Sequence, residues 1–368
     1  MWLPAFSEDR FESLFTRLPK RKTYSTLGNP PTLTVNKEPP KMRRLRLPLS
    51  RTRRLSELTI GVTCLLRVPS ALGSCDNLAP VSGESATCDS SLPNPSLTGI
   101  AAAAGSTGVT VRIQPGAGIS VSNSNAVFVR DSSTVTNLGT LQVSGDTFDG
   151  ITAEGSPNGF GHNTLTNAGA IHTTGVGSEG TYNGSASVTM VNAVGGAITT
   201  SGANSAAMLD VSAAGGGKLT NNGTLATSGD DSYGMLAQTS GDALANTGSI
   251  TTTGSRAYGL YANGGAPGNN TLTNHGSIDT YGVNAHGIVS VDASPGLVTN
   301  TGSIAAHGAD ALGAFFGQKV TLVNAAGARK RATRATPSMP TVAAALRMPE
   351  RFRAATRGYR LSAVMRTS

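Results

Sequence analysis

The residues able to do chemistry are few and scattered. Histidines stand at His162, His172, His275, His286 and His307, and no two share the helical or hairpin spacing of a zinc site. Asp230 and Asp231 are adjacent acids of the kind that act on polysaccharides or hold calcium; inside Gly229-Asp230-Asp231-Ser232 they read more simply as a solvated turn. That segment and Gly145-Asp146-Thr147 are near misses to a serine-protease motif, with no histidine in a defined relation to either. Gly175-Val176-Gly177-Ser178-Glu179-Gly180 matches G-x-G-x-x-G, but it lacks the strand-to-helix setting that lets such a loop cradle phosphates. A G-G-x-G-x-D calcium repeat is missing. The expectation is therefore no catalytic residue, no metal and no cofactor.

Tyrosines are a more promising set. Tyr182, Tyr233, Tyr258, Tyr261 and Tyr281 fall in one stretch of the chain. Tyr233, Tyr258 and Tyr281 are read either as a packed column or as a stripe that binds sugar or protein.

What positions these residues is a repeat. Asn137, Asn167, Asn192, Asn221, Asn246, Asn274, Asn300 and Asn324 each follow an apolar residue by two, and most precede a glycine by two. The leading apolar residues are Val135, Leu165, Met190, Leu219, Leu244, Leu272 and Val298, with Ile113 read in the same register one coil earlier. Six residues on comes a second aliphatic, Ile119, Leu141, Ile171, Leu225, Ile250, Ile278 and Ile304; Ile198 departs, eight after Met190. Ten further on comes a third, Val129, Ile151, Met208, Met235, Leu260 and Ile288, with Thr181 and Ala314 as weaker occupants. The return to the next coil varies in length.

Fixed segments are structural and variable ones are loops. The segments are rich in Gly, Asn, Thr and Ser and show no sustained 3.6-residue stripe, which argues against helices. Short alternating runs such as Leu272-Thr273-Asn274 suit strands of a few residues. The fold class expected is all-β, a right-handed parallel β-helix (β-solenoid) of about eight coils of three strands each. One coil cannot bury enough apolar surface to fold alone, so stability must come from stacking. The asparagines are read in two ways. Stacked inside, their amides donate and accept along a ladder; otherwise each marks an exposed turn.

The net charge of +8 averages unlike parts. Residues 1–67 carry fourteen Lys/Arg against five Asp/Glu, residues 68–328 five against fifteen, and residues 329–368 ten against one. The repeat body is acidic, with Arg112, Arg130, Lys218, Arg256 and Lys319 as scattered cations, so a nucleic-acid-binding surface is not expected there. Nor does any run of 18 apolar residues occur.

The ends differ from the body. Arg43 to Arg54, then Leu58–Leu66, then Ala71-Leu72-Gly73 read as an export signal over 42–73, cleaved before Ser74. Residues 1–41 are then an upstream extension without structure. In the cap region 74–108, Cys75 and Cys88 are placed to form a disulfide in an oxidising compartment; Leu72-Gly73-Ser74-Cys75 also matches a lipoprotein box, with Cys75 acylated. Repeats occupy 109–328. The tail 329–368 is basic and aperiodic; it reads as a frame-shifted continuation in preference to a nucleic-acid-binding arm.

On VTVRIQPGAGISV (109–121), VFVRDSSTVTNLGTL (127–141) and the N-x-G-[ST]-[IL] units that run to about residue 317, the chain resembles the passenger domain of bacterial autotransporters (type V secretion), especially the adhesin-like ones. The resemblance implies a right-handed β-helix, Sec-type export and display through a C-terminal outer-membrane β-barrel. No set of alternating, aromatic-girdled strands follows the repeats, so the likeness is to a passenger truncated before its barrel. The function it implies is a non-enzymatic adhesin or self-association stalk, at the surface, in the outer membrane or outside a Gram-negative bacterium. Its partners would be a host protein, a glycan or itself, with no nucleic acid. The alternatives are a polysaccharide-acting enzyme on the same fold and a non-functional truncated product.

Overall fold

The structure is a computed structural model that describes residues 74–155, 161–185, 187–212, 215–265, 269–291, 296–317 and 320–324, with the backbone of 330–331 and 345–347. The upstream extension 1–41 and the export signal 42–73 lie outside the described residues, as does the basic tail apart from those two short pieces.

All regular structure in the described residues is strand. The strands form three parallel sheets, of eleven, nine and nine strands, and the chain visits them in rotation. This is a right-handed parallel β-helix of about nine turns. The first sheet begins at Ser85–Cys88, the second at Gly118–Ser122 and the third at Ile100–Ala101. Stacking thus starts within the 74–108 segment. At the far end Lys330–Arg331 and Ala345–Arg347 each add a strand to the second and first sheets.

The core is three inward columns, one per sheet. Val111, Val135, Leu165, Met190, Leu219, Leu244, Leu272 and Val298 pair in register along the first. Ile119, Leu141, Ile171, Ile198, Leu225, Ile250, Ile278 and Ile304 do so along the second. Ile100, Val127, Ile151, Thr181, Met208, Met235, Leu260, Ile288 and Ala314 form the third. Strands about 4.8 Å apart bring each aliphatic onto its neighbour, and apart from Thr181 and Ala314 these side chains join one continuous buried cluster.

Two register readings are corrected. Val111, not Ile113, pairs with Val135, and Ile113 stands opposite Asn137. Likewise Val127, not Val129, pairs with Ile151. Both members of each pair point inward and are buried, so apolarity with a period of two cannot tell a register from one shifted by two. The long step from Met190 to Ile198 is absorbed by a corner that puts Val194 into solvent, and Ile198 still pairs with Ile171.

Corners between the second and third sheets are stacked glycines. A Cβ on Gly202, Gly229 or Gly254 would stand 1.7–1.9 Å from the carbonyl oxygen of the glycine one coil before. Two positions further into each corner the backbone turns left-handed, at Thr147, Gly177, Asn204, Asp231, Arg256, Asn284 and Asp310. At the N-terminal end, Cys75 and Cys88 are joined by a disulfide and bridge antiparallel, which ties residues 74–76 along the first edge strand.

Candidate functional site

The eight repeat asparagines form one column at the end of the first-sheet strands. The side-chain amide of Asn137 donates to Asn167 Oδ1 at 2.7 Å, and the pattern repeats through Asn192, Asn221, Asn246, Asn274 and Asn300 at 2.8 Å, closing on Asn324 at 2.9 Å. The same amides also hold the corner: Asn221 Nδ2 donates to Ser249 O, and its Oδ1 accepts from Gly223 N. Ladder and turn are one device. From Asn137 to Asn300 the side chains are almost fully buried, so this column is structural and presents nothing to a ligand.

Two further polar columns escaped the sequence reading. In the second corner Ser178 and Ser205 each accept a backbone N–H from the coil before, from Phe148 and Ser178, while Ser232 accepts from Ser205 N. The signal was present: each serine lies three residues after a stacked glycine, at Gly175, Gly202 and Gly229. In the third corner Ser133 N donates to Asn163 Oδ1, Gly217 N to Asp242 Oδ1 and Asp242 N to Asn270 Oδ1. These bonds satisfy backbone donors that would otherwise be stranded where the strands end.

The outer face of the third sheet is unlike the other outer faces. Leu209, Leu236, Tyr261 and Val289 point away from the interior and yet are buried, in a second apolar cluster with Tyr182, Tyr233, Tyr258 and Phe315 packed against it. Tyr233 lies 5.5 Å from Tyr258 and 5.1 Å from Tyr261, Tyr258 meets Tyr261 edge-on at 5.3 Å, and the Tyr258 ring stacks on His286, which stacks on Phe315. Burial, reinforced by the neighbouring tyrosines, raises the Tyr233 phenol far above its ordinary range. Burial also raises Tyr258 and pushes His286 down to about 4. At the rim Arg256 forms a two-toothed ion pair with Asp231 one coil below, and that bond holds the guanidinium above its usual range.

Of the stripe Tyr233, Tyr258 and Tyr281, the structure brings together only the first two. Tyr281 follows a second-sheet strand, is half exposed and stacks on His307 at 4.4 Å. The reason is register: Tyr233 and Tyr258 precede the third-sheet glycines Gly234 and Gly259, where the next coil places His286. The column therefore continues through His286, with Tyr261 beside it.

The remaining chemistry is dispersed. His162 bonds Ser187 and Thr189, His275 bonds Thr301, and Asp230 accepts from Ser255 N. Among the described residues no three of His, Cys, Asp or Glu gather in a way that could hold a metal ion, and no helix is long and apolar enough to cross a membrane. One acidic pair, Asp210 and Asp242, lies fully buried at the third corner. Its only sequence signal is an acid ending the apolar run Ala206-Ala207-Met208-Leu209.

A family model described as the BigA third pectate lyase-like domain matches residues 101–327. No match was found among the curated proteins or among the solved structures.

Proposed function

Since the chain belongs to the family of BigA third pectate lyase-like domains, we propose that it is a non-enzymatic, exported β-helix that acts at the bacterial surface as an adhesive stalk. The observation that carries this reading is the outer face of the third sheet. Aromatic side chains accumulate there in the coils where Tyr233, Tyr258, Tyr261 and His286 stand. Loops of variable length leave that sheet on their way to the first, after Ala153, Asn183, Asp210, Ala237, Ala262 and Ser290. A rigid rack with variable loops along one edge suits display, because a loop can change without disturbing the ladders that hold the coils.

Tyr and Trp are the side chains that recognition surfaces favour, offering an apolar body and a polar tip. The partner is a host protein, a glycan or a second copy of the chain. The disulfide between Cys75 and Cys88 agrees with an oxidising destination. The autotransporter likeness belongs to this same reading.

The test is a binding comparison between the full chain and a Tyr258→Ser variant, on glycan arrays, on host-cell monolayers and by light scattering for self-association. Circular dichroism serves as the control for folding. Loss of binding with an unchanged β-spectrum supports the reading. Equal binding by both proteins, or no binding to any surface, removes it. The description of the family as pectate lyase-like favours a second reading, a polysaccharide-acting enzyme. A turnover assay on pectin-like polymers separates the two, since an adhesin releases no product.

A further inference from the structure

Among the described tyrosines, Tyr281 alone stands outside the third-sheet cluster, and it is 50% exposed. It follows the second-sheet strand Ser277–Thr280. His307 holds the same position one coil above, after Ser303–Ala306. The two rings lie 4.4 Å apart and 8° from parallel. Rings that stack from coil to coil lie across the axis of the β-helix. One face of Tyr281 is therefore covered by His307, and the other looks down the axis. At this position the coils below carry Thr253, Ser228 and Ser201, all exposed and all much shorter than a phenol. Tyr281 thus overhangs them as a ledge, with three coils, about 14 Å, of hydroxyl-bearing floor beneath it.

Polar groups flank the ledge. Asp279 points outward two residues before Tyr281, and below it in register come Thr251, Ala226 and Thr199. The Asp279 carboxyl meets His307 Nε2 through one oxygen, at 3.5 Å, and is 37% exposed, so most of its acceptor positions face water. Past the ring, Val283 adds an exposed apolar side chain.

These parts suit one class of ligand. The flatter face of a pyranose carries C–H bonds of slight positive charge, and the face of an aromatic ring is negative. The hydroxyls around the sugar's edge need acceptors and donors, which the Asp279 carboxyl, the His307 imidazole and the threonine and serine hydroxyls supply. Charge narrows the class further. Arg256 is the one Lys or Arg between Lys218 and Lys319, and its guanidinium is held by Asp231. A uronic acid would find no free cation there and would face the Asp279 carboxylate.

We infer that Tyr281, backed by His307 and flanked by Asp279, is a binding ledge for a pyranose ring of a neutral glycan. The inference rests on the adhesive reading and gives it a glycan contact separate from the third-sheet face. The sugar stacks on the lower face of Tyr281, above Thr253, and Asp279 accepts from its hydroxyls. One side of a bound ring remains in water, so a single sugar binds weakly, with a Kd on the order of 1 mM.

The test uses the full chain, with N-acetylglucosamine and methyl glucoside as neutral probes and galacturonate as the acidic one. Saturation-transfer NMR should show contact from the protein to the C–H protons of at least one neutral sugar and none to galacturonate. Tyr281→Ala should weaken that binding at least about tenfold, whereas Tyr281→Phe keeps the ring and should stay within about twofold. Nitration by tetranitromethane, mapped by peptide mass spectrometry, gives a readout on the wild type alone. The neutral sugar should slow nitration of the exposed Tyr281 and leave the buried Tyr261 as it was. Equal sugar binding by Tyr281→Ala and wild type, unprotected Tyr281, binding of galacturonate in preference to both neutral sugars, or binding of none of the three overturns the ledge. Each of these leaves the adhesive reading to its own measurement on Tyr258→Ser with host cells and self-association, so the two can fail separately.

Discussion

Gly254 lies directly over Gly229, so close that a side chain on Gly254 would begin 1.8 Å from the Gly229 carbonyl oxygen. The obstacle is backbone on every side, with Gly229 C and Asp230 N also within 3 Å. Nothing there can rotate away, so Gly254→Ala must push two coils apart. The expected loss is about 3 kcal/mol, at the upper end for overpacking. Gly265→Ala is the matched control, because nothing lies within 4 Å of its Cβ position. Thermal melts followed at a strand wavelength should show a large drop for the first and almost none for the second. Equal melting temperatures would mean that the coils can separate freely at this corner.

That contact explains what the sequence could and could not reveal. The glycines, the asparagines and the apolar positions after Val135 recur at nearly fixed offsets, because every coil must meet its neighbours at the same height. Period and strand-rich composition were therefore enough to anticipate the β-helix. Registers were ambiguous where two inward residues alternate, as at Val111 and Ile113. The aromatic face was only half legible. Tyr281 has the right type and a similar spacing, yet it sits one sheet away from Tyr258, since a shift of a few residues along a coil changes the face. The Asp210 and Asp242 pair gave almost no signal. It exists only because successive coils overlap: Asp242 takes the third-corner position that other coils fill with Asn163 and Asn270, and Asp210 pairs with Asn183 of the coil before.

Asn221 stands in the middle of the asparagine column, bonded below to Asn192 and above to Asn246 at 2.8 Å each. Asn221→Ala removes both bonds and strands the Gly223 N–H, which its Oδ1 accepts. A buried donor left without a partner costs about 1–3 kcal/mol, so a total loss of about 3 kcal/mol is expected. Asn324→Ala removes only the end acceptor of Asn300 and should lose about 1 kcal/mol. Urea titrations would rank the two. A larger loss at position 324 than at 221 would contradict a ladder that is strongest in its interior.

Thr147 occupies a left-handed position, φ 65°, that other coils fill with Gly177, Asn204 or Asn284. A β-branched side chain is poorly suited to that conformation, which disfavours ordinary residues by about 1–2 kcal/mol. Thr147→Asn should therefore stabilise the protein by up to about 1 kcal/mol, because asparagine tolerates this region. Differential scanning calorimetry gives the sign directly. A lowered melting temperature would show that the threonine makes a compensating contact.

His286 sets a pH dependence of its own. Its Nδ1 accepts the Leu312 N–H at 3.0 Å, and the rings of Tyr258 and Phe315 stack on its two sides. Burial favours the neutral imidazole and lowers its pKa to about 4, against about 6.5 in an unfolded chain. A native pKa below the unfolded one means that the stability is complete above about 6.5 and is lost as pH falls toward 4. The loss across that interval is on the order of 2 kcal/mol, discounted from the full linkage value for incomplete burial. His286→Gln keeps an acceptor for Leu312 N and cannot titrate, so it should flatten this component. In NMR spectra the His286 ring protons should hold a constant shift down to about pH 5. A titration midpoint near 6.5 would place this imidazole in water and dismantle the stacked column of Tyr258, His286 and Phe315.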